Sequence, residues 1–324
     1  MKNILITGGC GFIGSHLAEY LLKKNFNVTV FDRYNNNNSW GNLEYSKYKK
    51  EIKVILGDIR DFDSVNSSLK KIDVIFHLAA LIGIPYSYVS PLAYLKTNVE
   101  GTYNVLEAGR KNNLDQIIIT STSETYGSAK YVPIDENHPL NAQSPYAASK
   151  IAADHLALSY NKSFGTNIKI IRPFNTYGPR QSARAIIPTI ISQFLSKKKN
   201  IEIGNIYPTR DYTYVTDLCD AYLKISKSSL TTGVITNVGC NYEISIKDIY
   251  NVIQNHFKIR KKLKYEKNRM RGKKSEVDRL NCDNNKLKNL TKWQPKTNFD
   301  EGIKKTIIWM KKNRDLFKQN LYNI

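Results

Sequence analysis

The chain begins with an apolar run, Asn3 to Thr7, that breaks into Gly8-Gly9-Cys10-Gly11-Phe12-Ile13-Gly14 and then resumes with helical spacing. Gly9 to Gly14 satisfies GxGxxG, and Gly8 adds an overlapping GxxGxxG. Between a strand and a helix, such glycines allow a tight turn and let backbone N–H groups approach a pyrophosphate. They also let the following helix pack closely, with its positive end facing the phosphates. The second strand ends in Phe31-Asp32, 18 residues beyond Gly14, near where an acid binds the ribose hydroxyls of adenosine. That acid repels a 2′-phosphate and favours NAD over NADP, with Arg33 beside it as the counter-signal.

Short β-branched runs alternate with helical patterns beyond this point, the signature of βαβ units and a parallel sheet. Strands are expected at 3–7, 27–31, 53–56, 74–77, 116–121 and 167–172. Asp58 and Ile59 after the third strand, and Leu78, Ala79 and Ala80 after the fourth, lie where the adenine and nicotinamide halves of a dinucleotide would be lined. The expected fold is a doubly wound α/β Rossmann domain over 1–177, with a smaller mixed α/β lobe over 178–324 from which the chain can cross back.

Lys and Arg number 49 against 28 Asp and Glu, a formal charge of +21, so nucleic acid has to be considered as a partner. The lysines are spread over many presumed helix faces, with local runs at 197–199 and 258–267, which reads as a solvated basic surface. The four cysteines form no CxxC pair and have no histidine at ligand spacing, so neither a metal nor a disulfide framework is expected. The N-terminus lacks a signal-peptide pattern and no run reaches membrane-spanning length, so a cytoplasmic location is expected.

Ser144-Pro145-Tyr146-Ala147-Ala148-Ser149-Lys150 opens a long helical pattern, with Pro145 suited to the first turn. Tyr146 and Lys150 fall one turn apart on one face, where an ammonium can stabilise a phenolate. A tyrosine of ordinary pKa about 10 needs such a neighbour to act as a base near neutrality. YxxxK occurs four times in this chain, but only Tyr146/Lys150 starts a helix downstream of a hydroxyl-bearing strand end, Ser121-Thr122-Ser123-Glu124.

Taken in order, TGGCGFIGSH, HLAA, STSETYG, SPYAASK and RPFNTYGP resemble the extended short-chain dehydrogenase/reductase family of nucleotide-sugar enzymes, over essentially the whole chain. The resemblance implies a catalytic Tyr146/Lys150 pair and a Thr122 hydroxyl bonded to the sugar O4. It also implies NAD on the glycine loop and Asp32, with Asn98 completing the cofactor set, and a nucleoside diphosphate sugar in the C-terminal lobe. Family members dimerise by packing the helix near 98–110 and the tyrosine helix into a four-helix bundle, so a homodimer is expected.

C4 epimerases, 4,6-dehydratases and C4-oxidising decarboxylases share the tyrosine and lysine. A 4,6-dehydratase must also remove the C5 proton and expel the C6 hydroxyl, which demands a carboxylate beside C5 and C6, and Glu124 fits that demand. Glucose-type dehydratases carry Asp immediately before this Glu. Here Ser123 stands there, a further candidate for proton transfer; mannose-type enzymes also lack that Asp, and their resemblance implies that one Glu, here Glu124, serves as base and then acid. Substrate contacts are expected from Asn175, Arg180, Arg184, Arg210 and Arg271, since arginine grips a diphosphate bidentately. SARAIIPTIISQ with SEVDRL resembles dehydratases of nucleotide-linked N-acetylglucosamine in legionaminic acid pathways, and the base, guanine or uracil, stays open.

Overall fold

The structure, a computed structural model, describes residues 2–266, 269 and 277–317. Seven parallel strands form the main sheet: β1 (Asn3–Thr7), β2 (Asn27–Arg33), β3 (Lys53–Gly57), β4 (Val74–His77), β5 (Gln116–Thr120), β6 (Ile168–Pro173) and a late strand, Ile235–Val238. Their order, β3-β2-β1-β4-β5-β6 and then the late strand, reverses direction at β1 and β4. Such a sheet binds its ligand in the crevice at that reversal, beyond the strands' carboxyl ends. The strand limits differ from the sequence expectation by one or two residues at a few ends, where side-chain pattern gives no sharp signal.

Both faces of this sheet are covered, which is why its strands are nearly continuous in apolar residues: Leu5, Ile6, Ile75, Phe76 and Ile117 to Ile119 are fully buried. On one face lies α1 (Phe12–Leu22), tied to a helix over Val215–Lys227 by Tyr20 Oη donating to Asp220 at 2.7 Å. On the other lie α2 (Phe62–Ser68), the short α3 (Ile84–Val89) and, after a break at Ser90, a long helix built from α4 (Pro91–Tyr94), a π-helical turn (Leu95–Glu100) and α5 (Gly101–Lys111). Beside α5 runs α6 (Pro145–Phe164). Its start and stop are written locally. Ser144 Oγ accepts from Ala147 N, Pro145 occupies the first turn, and Gly165 ends the helix at φ 66°, in the left-handed region.

After β7 (Asn175–Tyr177) and α7 (Ile186–Leu195) the chain builds a second, smaller body. Its strands are β8 (Asn200–Ile203), β9 (Thr209–Tyr214), β11 (Glu243–Ser245), β12 (Lys262–Tyr265) and β13 (Arg279–Leu280), where β10 denotes the late strand of the main sheet. β9 is flanked by β11, β13 and β7, while β8 pairs with β12. The helix Val215–Lys227 (α8), β10 and the helix Asn285–Thr291 return to the first body, joining its core through Leu218, Tyr222, Val238 and Leu287. The two bodies are therefore interleaved along the chain. Asp211, in the middle of β9, holds them together: its carboxylate accepts from the backbone N–H of Cys240 and Asn241, both at 2.8 Å, and of Cys282 at 3.2 Å.

The glycine turn is sterically obligatory. A Cβ on Gly14 would lie 2.3 Å from Gly8 O, and one on Gly8, at φ +71°, would lie 2.8 Å from Ala79 N. Both obstacles are backbone atoms. Gly14→Ala should therefore lower the melting temperature and weaken dinucleotide binding together, measured by thermal unfolding with and without NAD.

Candidate active site

The site forms where β5 ends. Thr122 Oγ1 accepts from Glu124 N at 3.3 Å and caps a short 3-10 turn, Ser123–Tyr126. Gly127 closes this turn at φ 62°, and a Cβ there would meet Asn141 O at 2.4 Å. Tyr126 is fully buried, so the turn is anchored from below while Glu124, one residue past Ser123, stays partly exposed. Among the described residues the Glu124 carboxylate has no hydrogen-bond or ion-pair partner.

Above this turn stands α6. Tyr146, 7% exposed, stands beside the Thr122 side chain. Burial pushes its phenol well above the ordinary value, the Thr122 hydroxyl opposes this, and the Glu124 charge adds to it. One turn on, the buried Lys150 Nζ donates to Thr120 O at 2.5 Å. Burial pushes the Lys150 ammonium down to about 8, with the Asp154 charge opposing. The tyrosine and lysine read from YxxxK spacing thus meet the strand-end hydroxyl in one place.

Tyr94 completes the wall, its ring centroid 6.2 Å from that of Tyr146 and its hydroxyl donating to Gly83 O at 2.5 Å. Asn98, in the π-helical turn, accepts from Leu81 N at 2.8 Å and donates to Leu81 O and Ser149 Oγ, both at 2.9 Å. Its polar atoms are committed to the segment after β4 and to α6, where they fix both. π-helical turns of this kind recur at functional sites.

On the dinucleotide side, Asp32 accepts from Cys10 N and from Arg33 N, both at 2.7 Å, leaving each oxygen a second lone pair for a ribose hydroxyl. Asp58 is held by Arg60, and Ile59 packs its side chain toward Gly101 while its carbonyl accepts from Asn104. Leu78, Ala79 and Ala80 remain partly exposed along the crevice beside Gly8. The cradle formed by Gly8, Gly11 and Gly14, which Cβ atoms would obstruct, together with the oriented Asp32 carboxylate, fits a dinucleotide.

The five residues expected at the substrate are placed differently from one another. Arg184 is exposed and reaches toward Gly83 and Tyr94, beside the Tyr146 wall. Asn175 is partly exposed on β7, paired in register with Tyr212. Arg210 is buried in β9, where its Nη1 donates to Thr209 O at 2.9 Å. Arg180 turns to α1, its Nη2 2.7 Å from Glu19 and its Nη1 buried without a partner among the described residues. Arg271 lies outside the described residues.

Sequence reasoning passed over Asp154 and Arg172. Both are 1% exposed and paired at 2.7 Å, with Ser121 Oγ donating to the same Asp154 oxygen at 2.6 Å. The signal for Asp154 was its position four residues beyond Lys150, on the same helical face.

The family profile for GDP-mannose 4,6 dehydratase matches residues 5–306. The chain belongs to this family. Among its relatives, a "Putative UDP-glucose 4-epimerase" of Methanocaldococcus jannaschii is 35% identical over 96% of this chain and 99% of that one. The dTDP-D-glucose 4,6-dehydratase of Dictyostelium discoideum is 32% identical over 97% of this chain and 83% of its own. Among solved structures, dTDP-glucose 4,6-dehydratase of Bacillus anthracis in complex with NAD superposes with a TM-score of 0.87 at 29% identity, over 98% of this chain and 99% of that one. The extended short-chain dehydrogenase/reductase resemblance and the doubly wound fold are therefore established. No helix among the described residues is long and apolar enough to cross a membrane.

The unfolded chain keeps the Lys150 proton to about pH 10.4, whereas the folded protein keeps it only to about 8. Between these values the unfolded state binds more protons, so this group's contribution to stability rises with pH, and below them the buried ammonium is a cost. Lys150→Met should therefore unfold at higher denaturant than the parent at pH 7, by on the order of a few kcal/mol. That advantage should shrink from pH 8 to 10, while the variant lacks activity.

Proposed function

We propose that the protein is an NAD-dependent nucleotide-sugar 4,6-dehydratase that converts a GDP- or UDP-linked N-acetylglucosamine to its 4-keto-6-deoxy product. The observation that carries this reading is the Glu124 carboxylate: unpaired among the described residues, partly exposed, and close enough to Tyr146 for its charge to act on the phenol. A C4 epimerase has no use for an additional base there, whereas elimination across C5–C6 requires one.

Gly8, Gly11, Phe12, Ile13, Gly14, Asp32 and Lys150 would hold NAD, which would supply a hydride acceptor for C4 and a donor for C6. Tyr146 takes the O4 proton as C4 is oxidised, and Thr122 holds O4 in line with the phenol. The Lys150 ammonium, one turn along the same face, and the positive charge that bound NAD would bring would oppose the effect of burial on Tyr146 and make its phenolate accessible. Glu124 then removes the C5 proton, made acidic by the new C4 ketone, and passes it to the C6 oxygen, which leaves as water. The proton Tyr146 took from O4 balances the one C5 regains as C6 is reduced. With Ser123 in place of a second acid, one carboxyl performs both proton transfers. Asn175, Arg184 and Arg210 are the residues assigned to the nucleotide, with Arg271 as a further diphosphate contact, while Arg180 is taken up by Glu19.

We further infer a homodimer formed through a four-helix bundle. Val89, Leu92, Leu95 and Tyr103 are 75%, 61%, 51% and 45% exposed. Leu92, Leu95 and Tyr103 recur with helical spacing on one face of the helix from 91 to 111, an apolar stripe of the kind a second copy covers.

The test of the reaction is mass spectrometry of products from GDP- and UDP-linked N-acetylglucosamine, glucose and mannose. Loss of water without net NAD reduction is expected; an isomer of unchanged mass would identify an epimerase. Glu124→Gln should still reduce bound NAD at C4 but release dehydrated product at least 100-fold more slowly, and full dehydration by that variant would remove Glu124 from the mechanism. Leu92→Glu combined with Leu95→Glu should shift the protein to monomer in sedimentation.

A further inference from the structure

Beneath the candidate active site lie three buried charges on two elements. Lys150 and Asp154 are one turn apart on α6, and Arg172 rises from β6. Asp154 Oδ2 takes both Arg172 Nη2, at 2.7 Å, and Ser121 Oγ, at 2.6 Å. Its other oxygen, Oδ1, is buried and has no partner among the described residues, and neither has Arg172 Nε. The Arg172 guanidinium also lies over the Tyr126 ring, 4.7 Å from its centroid, under the turn that carries Glu124. Arg172 is thus ion-paired with this anion, while Lys150, bonded to Thr120 O, feels the same charge from one helical turn away.

The other groups around Lys150 supply no charge to hold its proton. His77, from β4, is bonded at Nδ1 to Thr7 Oγ1 at 2.7 Å and at Nε2 to Thr102 Oγ1 at 3.1 Å. Thr102 spends its own proton on Asn98 O at 2.6 Å, so Nε2 carries the hydrogen and His77 is a neutral imidazole. Burial, with Lys150 adding, pushes it down to about 3. Tyr222, from α8, is bonded to Thr120 Oγ1, and burial pushes its phenol up, with a hydrogen bond from Thr120 opposing. On α6 itself, Tyr146 is a protonated phenol before substrate and cofactor arrive. Glu124, on the turn, acts on Tyr146.

We propose that Asp154 is a positioning residue: it is the counter-ion that keeps Lys150 an ammonium, and Arg172 competes with Lys150 for it. The ion pair does two things. It fixes α6 to β6 and, through Ser121, to the strand end that carries Thr122 and Glu124. It also divides one negative charge between a cation that never titrates and one that does. Arg172 therefore limits how firmly Lys150 holds its proton, and Asp154 prevents Lys150 from losing it at working pH.

The inference rests on the reading of Tyr146 and Lys150 as the hydride-transfer pair, and its test separates the two. The Lys150 side-chain resonance would be titrated by NMR in protein carrying 13C-lysine, without substrate, and assigned by its absence from Lys150→Met. Asp154→Asn should move the Lys150 midpoint down by about one pH unit or more. Arg172→Gln should move it up, and the double variant should return it close to the parent value. The alkaline limb of C4 oxidation should follow in the same directions, which a merely structural defect, lowering the rate at every pH, would not produce.

A Lys150 midpoint unmoved by Asp154→Asn would overturn the proposal. Should that variant fail to fold, an Arg172→Gln midpoint that does not rise would overturn it equally. Absence of turnover in the parent enzyme with every nucleotide sugar would overturn the functional reading and leave the titration result standing.

Discussion

The hydrogen bond from Lys150 Nζ to Thr120 O is the contact on which the site depends. It joins the last residue of β5 to the second turn of α6, and so decides how far the Tyr146 ring stands from Thr122 and Glu124. Burying an ammonium is unfavourable unless its donors are taken up and its charge is answered. The molecule takes up one donor with a strand-end carbonyl and answers the charge with a carboxylate one helical turn away. Everything that fixes α6, from Ser144 at its start to Asp154 and Arg172 in its middle, protects that arrangement.

A second constraint acts at right angles to the first. The sheet reverses direction at β1 and β4, leaving a crevice that two segments must share: the glycine turn after β1 and the segment 78–83 after β4. They approach so closely that a side chain on Gly8 would strike Ala79. Asn98 holds the second segment from behind and bonds Ser149, between Tyr146 and Lys150. A dinucleotide in this crevice would therefore lie along a wall tied to the same helix that carries the tyrosine. The cofactor side and the base side are held in register by one asparagine in a π-helical turn.

Much of this was legible in the sequence because it is local. Six strands announce themselves as β-branched runs, α6 is bounded by Ser144, Pro145 and Gly165, and the pairing of Tyr146 with Lys150 follows from helical spacing. What depended on long-range pairing was not legible. β10 is a short strand with polar residues at Thr236 and Asn237, and only its place beside β6 makes it part of the main sheet. Arg180 looked like any arginine of a substrate lobe, yet its partner Glu19 lies 161 residues earlier on α1. Asp154 and Arg172 are 18 residues apart on different elements, and no pattern in one element names a partner in the other. Glu124 was visible as a carboxylate at a strand end, but that it has no partner among the described residues appears only once the neighbouring side chains are placed.

The central claim is that one active site oxidises C4, eliminates water across C5–C6 with Glu124, and returns the same hydrogen to C6. Following a nucleotide-linked N-acetylglucosamine deuterated at C4 through turnover tests this most directly. The account predicts a 4-keto product one water lighter, with the deuterium in its C6 methyl group and solvent hydrogen at C5. Deuterium retained at C4 of a product of unchanged mass, or lost altogether to solvent, would contradict it.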